Sequence, residues 1–461
     1  MVLGLLKRNE VSWALAVLVG IIIYLPSTPE GLSPEGHKFL ALLGGLIVLF
    51  LTEPIPFPLI MAGSGVCLIL LGIGDLKTVW MAYAHPVVFF ILCCLMLAII
   101  GEHVGLTERL GNYLLRKAGT NVVRFSFVIC MGLGVGSAFM HDIAATTVGI
   151  MVMLPMMRSA KIEPFSNTGL FLMLSLPFCC SAGGMGTLVG GARNMVAVAF
   201  LEEFTGQTIT FFQWFLYAFP GALITIPLVW FTVYFVFRPD RTLTFPVTEE
   251  QLKTKPWTAA EIKCLTVVII LLATWFTSSI HGIHYSVTGM AAVIILFMMG
   301  LMPWKEFHDK VEWAVCILVF GGGIALGLAM EYSGTGNYLA SIFFPYFEGK
   351  GWLVLFIGVG IFGALITNVM ANVAAAALIL PIAIPLSIQM GVDPTIMALC
   401  LGMMTSYAYL LIIGCPPNVV AYSFGYFKPY HLLKVGLVCM PIACITLVIV
   451  VSIWWRIVGL I

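Results

Sequence analysis

Long apolar runs separated by short polar segments make up most of this chain. A helix that crosses a membrane needs about 20 predominantly apolar residues. Runs of this kind begin near ten positions, which are Val11, Phe39, Val87, Val122, Phe211, Cys264, Tyr285, Glu312, Trp352 and Leu432. The pattern predicts an all-α polytopic membrane protein.

Four other apolar stretches are interrupted by glycine or proline. They lie around Pro155, across 183–194, around Pro381 and across 402–418. Irregular backbone at membrane depth is tolerated only where it is buried in protein or lines a cavity. We therefore expect broken helices inside the protein at these places. The alternative is that glycine and proline merely relieve the packing between spans.

The two halves of the chain resemble each other. Three segments recur in the same order and at a nearly constant separation: 101–115 with 330–344, 153–155 with 379–381, and 190–194 with 414–418. Paired broken segments in two repeats are typical of secondary transporters with a site near the middle of the membrane. The pattern predicts a first repeat over 1–236, an interfacial connector over 237–263 and a second repeat over 264–461.

The composition supports the membrane class. Hydrophobic residues make up 61% of the chain and charged residues 9%, against roughly 25% charged residues in soluble domains. The formal net charge of +1 gives no support to a nucleic-acid partner. The 12 cysteines form no C-x-x-C pair, so we expect free thiols rather than a metal or redox site.

The first polar segments carry an orientation signal. Lys7 and Arg8 precede the first span, whereas the following loop carries Glu30 and Glu35. Because cytoplasmic loops carry an excess of lysine and arginine, we expect a cytoplasmic N-terminus. The first apolar run lacks a small-residue cleavage site, so it is expected to be a span rather than a removable signal. A multi-pass protein of a bacterial-type inner membrane, surrounded by the lipid bilayer, is predicted.

The broken segments supply the candidate chemistry. The N-terminus of a half-helix carries partial positive charge and unpaired N–H groups, which suit a carboxylate, sulfate or phosphate. Half-helix C-termini and unwound carbonyl groups suit Na⁺ or a proton. Small polar residues near the breaks of the second half are Thr367, Asn368, Asn372, Thr405 and Ser406.

Several motifs resemble those of the divalent anion/sodium symporter family. They are "TNVMANVAAAALILPI", "TSYAYLLIIGCPPNVV", "LVFGGGIALGLAMEYSG", "TEPIPFP" and "GGMGTLVGGARN", and they cover both halves. The resemblance implies a transporter of dicarboxylates, citrate or sulfate with two inverted-topology repeats, about eleven transmembrane helices and two re-entrant helical hairpins. It also implies a homodimer whose scaffold and transport domains work by an elevator mechanism.

The family has a Ser-Asn-Thr signature at each hairpin tip, and this chain departs from it. Aligned on the Leu-Pro pairs, the signature falls on Ala145, Thr146 and Thr147 in the first half and on Ala371, Asn372 and Val373 in the second. A gapped alignment places the first signature on His141, Asp142 and Ile143. The resemblance implies that the substrate lies between the tips, next to the turn residues Asn194 and Asn418.

A second departure concerns the first ion site that the resemblance implies. Where the family has Pro-Pro-Asn, this chain has Ala192-Arg193-Asn194. Arginine is a permanent cation, and a charge inside a membrane needs a cavity or a partner. We expect Asp142 in the facing hairpin to be that partner, so that the pair replaces the first sodium site. The replaced site would consist of His141, Asp142, Gly190 and Arg193.

A second ion site is expected in the other half, with Na⁺ as the coupling ion and no other cofactor. Its residues would be Thr367, Asn368, Gly414 and Pro416, with sodium at Thr367, Asn372, Gly414 and Asn418. The alternative for the first half is that Arg193 extends to the membrane interface while Asp142 caps a helix. His141 is a candidate carrier of a coupling proton, although lone histidines are more often structural.

These observations favour a secondary active transporter of small divalent organic anions of the C4-dicarboxylate type. It would work by exchange or with only partial dependence on sodium. A sodium- or proton-coupled symporter of citrate or sulfate is the alternative. An anion channel would need a repeated selectivity filter, and an intramembrane enzyme would need a catalytic arrangement such as H-E-x-x-H. The sequence carries neither, so we expect no catalytic residue.

Overall fold

The computed structural model describes residues 9–52, 54–245, 256–311 and 313–461. Lys7, Arg8, the predicted span start Glu312 and the middle of the connector, 246–255, lie outside these described residues. The α-helices of the described ranges are α1 (Asn9–Tyr24), α2 (Pro34–Thr52), α3 (Phe57–Leu70), α4 (Leu76–Ala82), α5 (Pro86–His103), α6 (Leu106–Ala118), α7 (Val122–Met140), α8 (Asp142–Ser159), α9 (Asn167–Gly183), α10 (Ala192–Thr205), α11 (Phe211–Phe237), α12 (Ala259–Phe276), α13 (Ser278–His281), α14 (Tyr285–Met298), α15 (Trp304–Lys310), α16 (Phe320–Tyr332), α17 (Thr335–Phe347), α18 (Gly351–Ile366), α19 (Asn372–Gln389), α20 (Pro394–Met404), α21 (Pro416–Ser423) and α22 (Pro429–Ile457). No β-strand is present in these ranges, which confirms the all-α class.

Seven helical segments of the described chain are long and apolar enough to cross a membrane. They are Leu76–His103, Val122–Met140, Phe211–Phe237, Ala259–Phe276, Val315–Tyr332, Asn372–Gln389 and Pro429–Ile457. An eighth results if α17 and α18, which are bent by 119°, are counted as one span. A helix lies at nine of the ten predicted positions. The tenth, Glu312, is outside the described residues, and a π-helical turn follows it at Val315–Val319. The chain is therefore a multi-pass membrane protein.

Two helical hairpins occupy the regions around Pro155 and Pro381, but the turns lie elsewhere. His141 alone separates α7 from α8, and the short segment 367–371 separates α18 from α19. Pro155 and Pro381 lie inside the continuous helices α8 and α19, so the break positions predicted there are wrong. A proline removes one backbone hydrogen bond, and in membrane proteins neighbouring helices and local adjustments compensate for it.

Two broken helices lie at the centre of the protein, at the positions where the sequence predicts them. The loop 184–191 separates α9 from α10, and the loop 405–415 separates α20 from α21. Residues 168–201 are buried without interruption. Helices of the two halves pack on each other. α8 packs on α21, α19 packs on α10 and α11 packs on α22. Each hairpin therefore contacts the broken helix of the other half.

The helix α12 begins inside the predicted connector, 237–263. Thr258 and Glu261 form a capping box at the start of α12, which begins at Ala259 rather than at 264. This Thr-x-x-Glu pattern is a recognised signal for a helix start. Glu261 also accepts two hydrogen bonds of 2.8 Å from the guanidinium of Arg109 on α6. The end of the connector is thus attached to the first half of the chain.

Candidate functional site

Four helix N-termini converge at the centre of the protein. α8 begins at Asp142 and α19 at Asn372, which are the hairpin tips, while α10 and α21 begin at Ala192 and Pro416, after the breaks. The N–H of Asp142 donates to the carbonyl oxygen of Gly190 at 3.2 Å, which joins the first tip to the first break. Because each helix N-terminus carries about half a positive charge, the backbone alone makes this region electropositive.

Arg193, in the first turn of α10, lies between these N-termini and is only 2% exposed. Its Nη1 donates to Oδ2 of Asp142 at 3.0 Å. Its Nε donates to Oγ of Ser406 at 2.8 Å, and its Nη2 donates to the carbonyl oxygen of Ser181 at 3.3 Å. The guanidinium therefore joins the first hairpin tip to both broken helices, and it is buried rather than extended to the membrane interface.

His141 forms the sharp turn of the first hairpin tip. Its φ of +69° is a conformation that L-residues rarely adopt and that costs roughly 1–3 kcal/mol. Its Nδ1 lies 3.1 Å from Oδ1 of Asp142 and 3.4 Å from the backbone nitrogen of Ile143. The carboxylate of Asp142 is thus held between an imidazole on one oxygen and the guanidinium of Arg193 on the other. His141, not Asp142, occupies the N-cap position of α8.

Asn372 holds the second hairpin tip against the same guanidinium. In the amide orientation that satisfies both terminal atoms, its Oδ1 accepts from Nη1 of Arg193 at 3.2 Å. Its Nδ2 then donates to the carbonyl oxygens of Gly414 at 2.6 Å and Thr405 at 3.3 Å, and to Oγ1 of Thr367 at 2.7 Å. Arg193 is consequently shared by both tips.

The surroundings of Asn372 also fit a small hard cation. Oγ1 of Thr367 and the carbonyl oxygens of Thr405 and Gly414 converge next to its amide. Neutral oxygens of this kind are donors that suit Na⁺. Over the described ranges, no group of three or more His, Cys, Asp or Glu side chains is placed to hold a metal ion.

Asn194 and Asn418 occupy matching positions after the two breaks. Nδ2 of Asn194 donates to the carbonyl oxygens of Gly184 and Thr187 at 2.9 and 2.7 Å. Nδ2 of Asn418 donates to that of Ala408 at 2.8 Å. In both residues the buried Oδ1 has no hydrogen-bond partner within the part of the chain that is described. The amide nitrogen thus stabilises each turn through hydrogen bonds, and the amide oxygen remains a buried acceptor.

Three other predicted residues hold backbone segments together. Asn368 at the second tip accepts from the N–H of Leu410 at 2.6 Å. A Cβ on Gly414 would lie 2.7 Å from the carbonyl oxygen of Thr367, and a Cβ on Gly190 would overlap a carbonyl oxygen of its own loop. These close approaches of backbone to backbone require glycine.

The first predicted signature lies away from the tip. Ala145, Thr146 and Thr147 follow one turn inside α8, where both threonine hydroxyls donate to carbonyl oxygens of the preceding turn. The tip itself consists of His141 and Asp142, which are the first two residues of the gapped alignment. The prolines of the Leu-Pro pairs, on which the ungapped alignment is anchored, both lie well inside helices.

The second predicted signature does lie at its tip. Asn372 is buried, Val373 is half-buried and Ala371 is exposed. Pro416, predicted for the ion site, is exposed at the first position of α21. Of these residues, the side chain of Asn372 alone contacts the buried arginine.

A cavity of about 640 Å³ reaches the first hairpin tip. Among the predicted residues, His141 and Thr147 line it, and the charged side chains on its wall belong to Glu102, Glu108 and Lys310. Its remaining lining residues are mostly apolar and come from α5, α6 and α8. Among the described residues, none from the second hairpin lines this cavity, so the cavity gives access to the first tip alone.

Two residues of the site are absent from the prediction. Ser181 supplies a carbonyl oxygen to Arg193, and its Oγ lies 3.3 Å from Sγ of Cys415. Ser181 is a polar residue in the last turn of α9, close to the first break, and this position was the available signal. Cys415 directly precedes α21, but nothing in its sequence context distinguishes it from the other buried thiols.

Comparison with known proteins agrees with this architecture. The family model of the sodium:sulfate symporter transmembrane region matches residues 7–461. The sodium-dependent dicarboxylate transporter SdcS of Staphylococcus saprophyticus is 27% identical over 489 aligned residues, which cover 96% of this chain and 92% of that protein. An uncharacterized transporter of Haemophilus influenzae is 27% identical over 434 residues, with 89% and 91% covered.

The fold has a counterpart among solved structures. The crystal structure of the YdaH transporter of Alcanivorax borkumensis matches with a TM-score of 0.51 and 14% identity over 98% of both chains. At this identity the likeness concerns the fold alone. The family model covers nearly the whole chain, so the resemblance inferred from the motifs is confirmed. The chain belongs to the divalent anion/sodium symporter family and is a multi-pass membrane transporter rather than an enzyme.

Proposed function

We propose that this chain is a secondary active transporter of small divalent organic anions of the C4-dicarboxylate type, with its substrate at the hairpin tips. The observation that carries the proposal is the convergence of four helix N-termini around a buried arginine, Arg193. Helix N-termini bind anions through their N–H groups and partial positive charge. The relative SdcS is a sodium-dependent dicarboxylate transporter, which supports the same substrate class.

In this proposal, the Asp142–Arg193 pair takes the place of one sodium ion. The guanidinium supplies one positive charge among oxygen acceptors, which are Oδ2 of Asp142, Oγ of Ser406 and the carbonyl oxygen of Ser181. Unlike an ion, a side chain cannot dissociate from the empty carrier. The transporter would therefore work by exchange, or with only partial dependence on sodium.

A second cation site would use Thr367, Asn372, Gly414 and Asn418. Na⁺ bound there would add positive charge beside the substrate carboxylate. The chain holds the oxygens of Thr367 and Gly414 close together at the tip, and Asn372 would turn its Oδ1 toward them when the cation binds. The buried Oδ1 of Asn418, which has no partner among the described residues, is a further available oxygen.

We also propose the organisation that the family resemblance implies. The segments 1–236 and 264–461 would be inverted repeats, and the protein would be a homodimer with scaffold and transport domains in an elevator mechanism. The reciprocal packing of α8 on α21 and of α19 on α10 supports the repeats. Each hairpin packs on the broken helix of the other half, which supports their movement as one unit.

Uptake of radiolabelled succinate into proteoliposomes tests the proposal. Vesicles with and without internal succinate are compared, each with and without an inward sodium gradient. Faster uptake into preloaded vesicles in the absence of sodium supports exchange, and this counterflow also distinguishes a carrier from an anion channel. Strict sodium dependence would contradict the replacement of the first ion site. Absence of succinate uptake, and of any uptake of citrate or sulfate, would overturn the anion transport itself.

Exchanging the charged pair for neutral residues tests the replacement directly. The double variant Asp142→Ser with Arg193→Pro removes the fixed charge and should make transport dependent on sodium. Arg193→Lys is the matched control, since it keeps the charge at this position and should keep the sodium response of the unmodified protein. A double variant that transports at the normal rate without sodium would refute the replacement.

A further inference from the structure

The first hairpin tip presents one histidine to the cavity. The side chain of His141 is 16% exposed on the cavity wall and adjoins the buried Asp142–Arg193 pair. We propose that His141 binds a proton that is coupled to anion binding, so that one proton accompanies each anionic substrate. This inference rests on the proposed function, because it assigns the coupling of the same site. It is compatible with exchange, in which the proton would move with the anion in both directions.

The carboxylate of Asp142 and the backbone N–H of Ile143 both contact the same imidazole nitrogen of His141, Nδ1. Nδ1 lies 3.1 Å from Oδ1 of Asp142 and 3.4 Å from the backbone nitrogen of Ile143. A bare Nδ1 accepts from the N–H of Ile143 and repels a carboxylate, whereas an Nδ1–H, in the neutral tautomer or in the imidazolium, donates to Asp142. In the imidazolium both ring nitrogens are donors, so the carboxylate gains a second charged partner. Protonation strengthens the contact between Nδ1 and Asp142, which is the shorter of the two.

The charges of the tip explain why one proton matters for an anion. With a neutral imidazole, the negative charge of Asp142 and the positive charge of Arg193 cancel. With an imidazolium, His141 and this pair together carry one net positive charge. An anion is attracted more strongly to the second state. Linkage is reciprocal, so bound anion raises the affinity for the proton by the same factor.

Three other charged side chains face the same cavity. Glu102 comes from the end of α5, Glu108 from α6 and Lys310 from the end of α15. Lys310 donates to Oε1 of Glu306 at 2.9 Å. Together these three side chains, two carboxylates and one ammonium, give the cavity wall a net negative charge, which attracts protons. Among the described residues that line this cavity, His141 is the histidine.

The backbone at the tip argues for a role beyond packing. The φ of His141 is +69°, a conformation in which glycine would be free of strain. Ala371, which directly precedes α19 at the second tip, has an ordinary φ of −57°. A bulky side chain kept in a strained conformation beside a cavity is typical of functional positions.

Binding of fumarate to the purified full chain in detergent tests the inference, because both carboxyl groups of fumarate are ionised between pH 6 and 8. Isothermal titration calorimetry in two buffers of different ionisation enthalpy measures the protons taken up per anion bound. We expect proton uptake, and binding about tenfold tighter at pH 6 than at pH 8. His141→Gln should bind fumarate without proton uptake and equally at both pH values. His308→Gln, which removes an exposed histidine outside the cavity lining, should behave like the unmodified protein.

The outcomes separate the inference from the proposed function. Fumarate binding without proton uptake and without pH dependence overturns the inference alone. Proton uptake that persists in His141→Gln also overturns it, because another group then carries the proton. Absence of binding of fumarate, succinate, citrate and sulfate at every pH overturns the proposed function and the inference together. If His141→Gln does not fold, His141→Asn replaces it, since asparagine tolerates positive φ.

Discussion

Removing one charge of the Asp142–Arg193 pair should destabilise the protein strongly, because the other charge then stays buried without its partner. Asp142→Asn leaves a guanidinium that is 2% exposed and has only neutral partners. Arg193→Met removes the guanidinium and leaves the carboxylate beside His141. The double variant removes both charges. These three proteins and the unmodified one form a double-mutant cycle that isolates the interaction of the two charges.

The expected magnitudes follow from the contacts of each charge. Removing one partner of a buried ion pair costs about 3–5 kcal/mol, and we expect this cost for Asp142→Asn. Arg193→Met should cost less, about 2–3 kcal/mol, because the carboxylate keeps the imidazole of His141 at 3.1 Å. The double variant buries no unpaired charge, so its cost should fall short of the sum of the two single costs by about 3 kcal/mol.

Unfolding by SDS in mixed micelles provides the free energies of unfolding for the cycle. Ser406→Ala is a useful control, because it removes one neutral acceptor from Nε of Arg193 and should cost only about 1–3 kcal/mol. Additive costs of Asp142→Asn and Arg193→Met would refute the reasoning. In that case the guanidinium would be held by the broken helices rather than by the hairpin tip.

Two other substitutions test the packing around the site. Gly183→Ala should abolish the folded, monodisperse peak in size-exclusion chromatography, because a Cβ there would overlap the carbonyl oxygen of Gly134. Gly63→Ala, whose Cβ would meet no atom within 4 Å, should elute normally, and equal behaviour of the two variants would contradict the expectation. Glu261→Gln should lower the free energy of unfolding by about 1–3 kcal/mol, because it removes the bidentate carboxylate partner of Arg109. An unchanged unfolding midpoint in SDS would show that this ion pair contributes nothing.

The buried charged pair was predictable from the sequence because its chemistry leaves few options. Asp142 and Arg193 are charges within apolar segments, and such charges are costly unless they meet a partner or a cavity. The broken helices at 184–191 and 405–415 were predictable for a similar reason, since clustered glycine, proline and small polar residues interrupt apolar runs there. Both predictions rest on local composition and on the cost of burying polar groups.

The position of the first hairpin tip was not predictable in the same way. Pro155 and Pro381 suggested breaks and served as alignment anchors, yet α8 and α19 pass through them. Whether a proline ends a helix depends on the helices that pack around it, and the local sequence does not show that packing. The adjacent polar residues His141 and Asp142 were the better signal, because a hairpin tip concentrates polar side chains. The contact of Ser406 with Arg193 also depends on docking between halves.

The sharing of Arg193 by both tips bears on how strongly sodium can bind at the second one. A cation among the oxygens of Thr367 and Gly414 would require Asn372 to turn its Oδ1 toward them, since its Nδ2 is a donor. The same Oδ1 accepts from Nη1 of Arg193 at 3.2 Å when Nδ2 faces those oxygens. The cation and the guanidinium therefore compete for one amide oxygen. A sodium ion at the second site would have to offset the loss of this hydrogen bond, which makes a weak and partial dependence on sodium the outcome expected from this geometry.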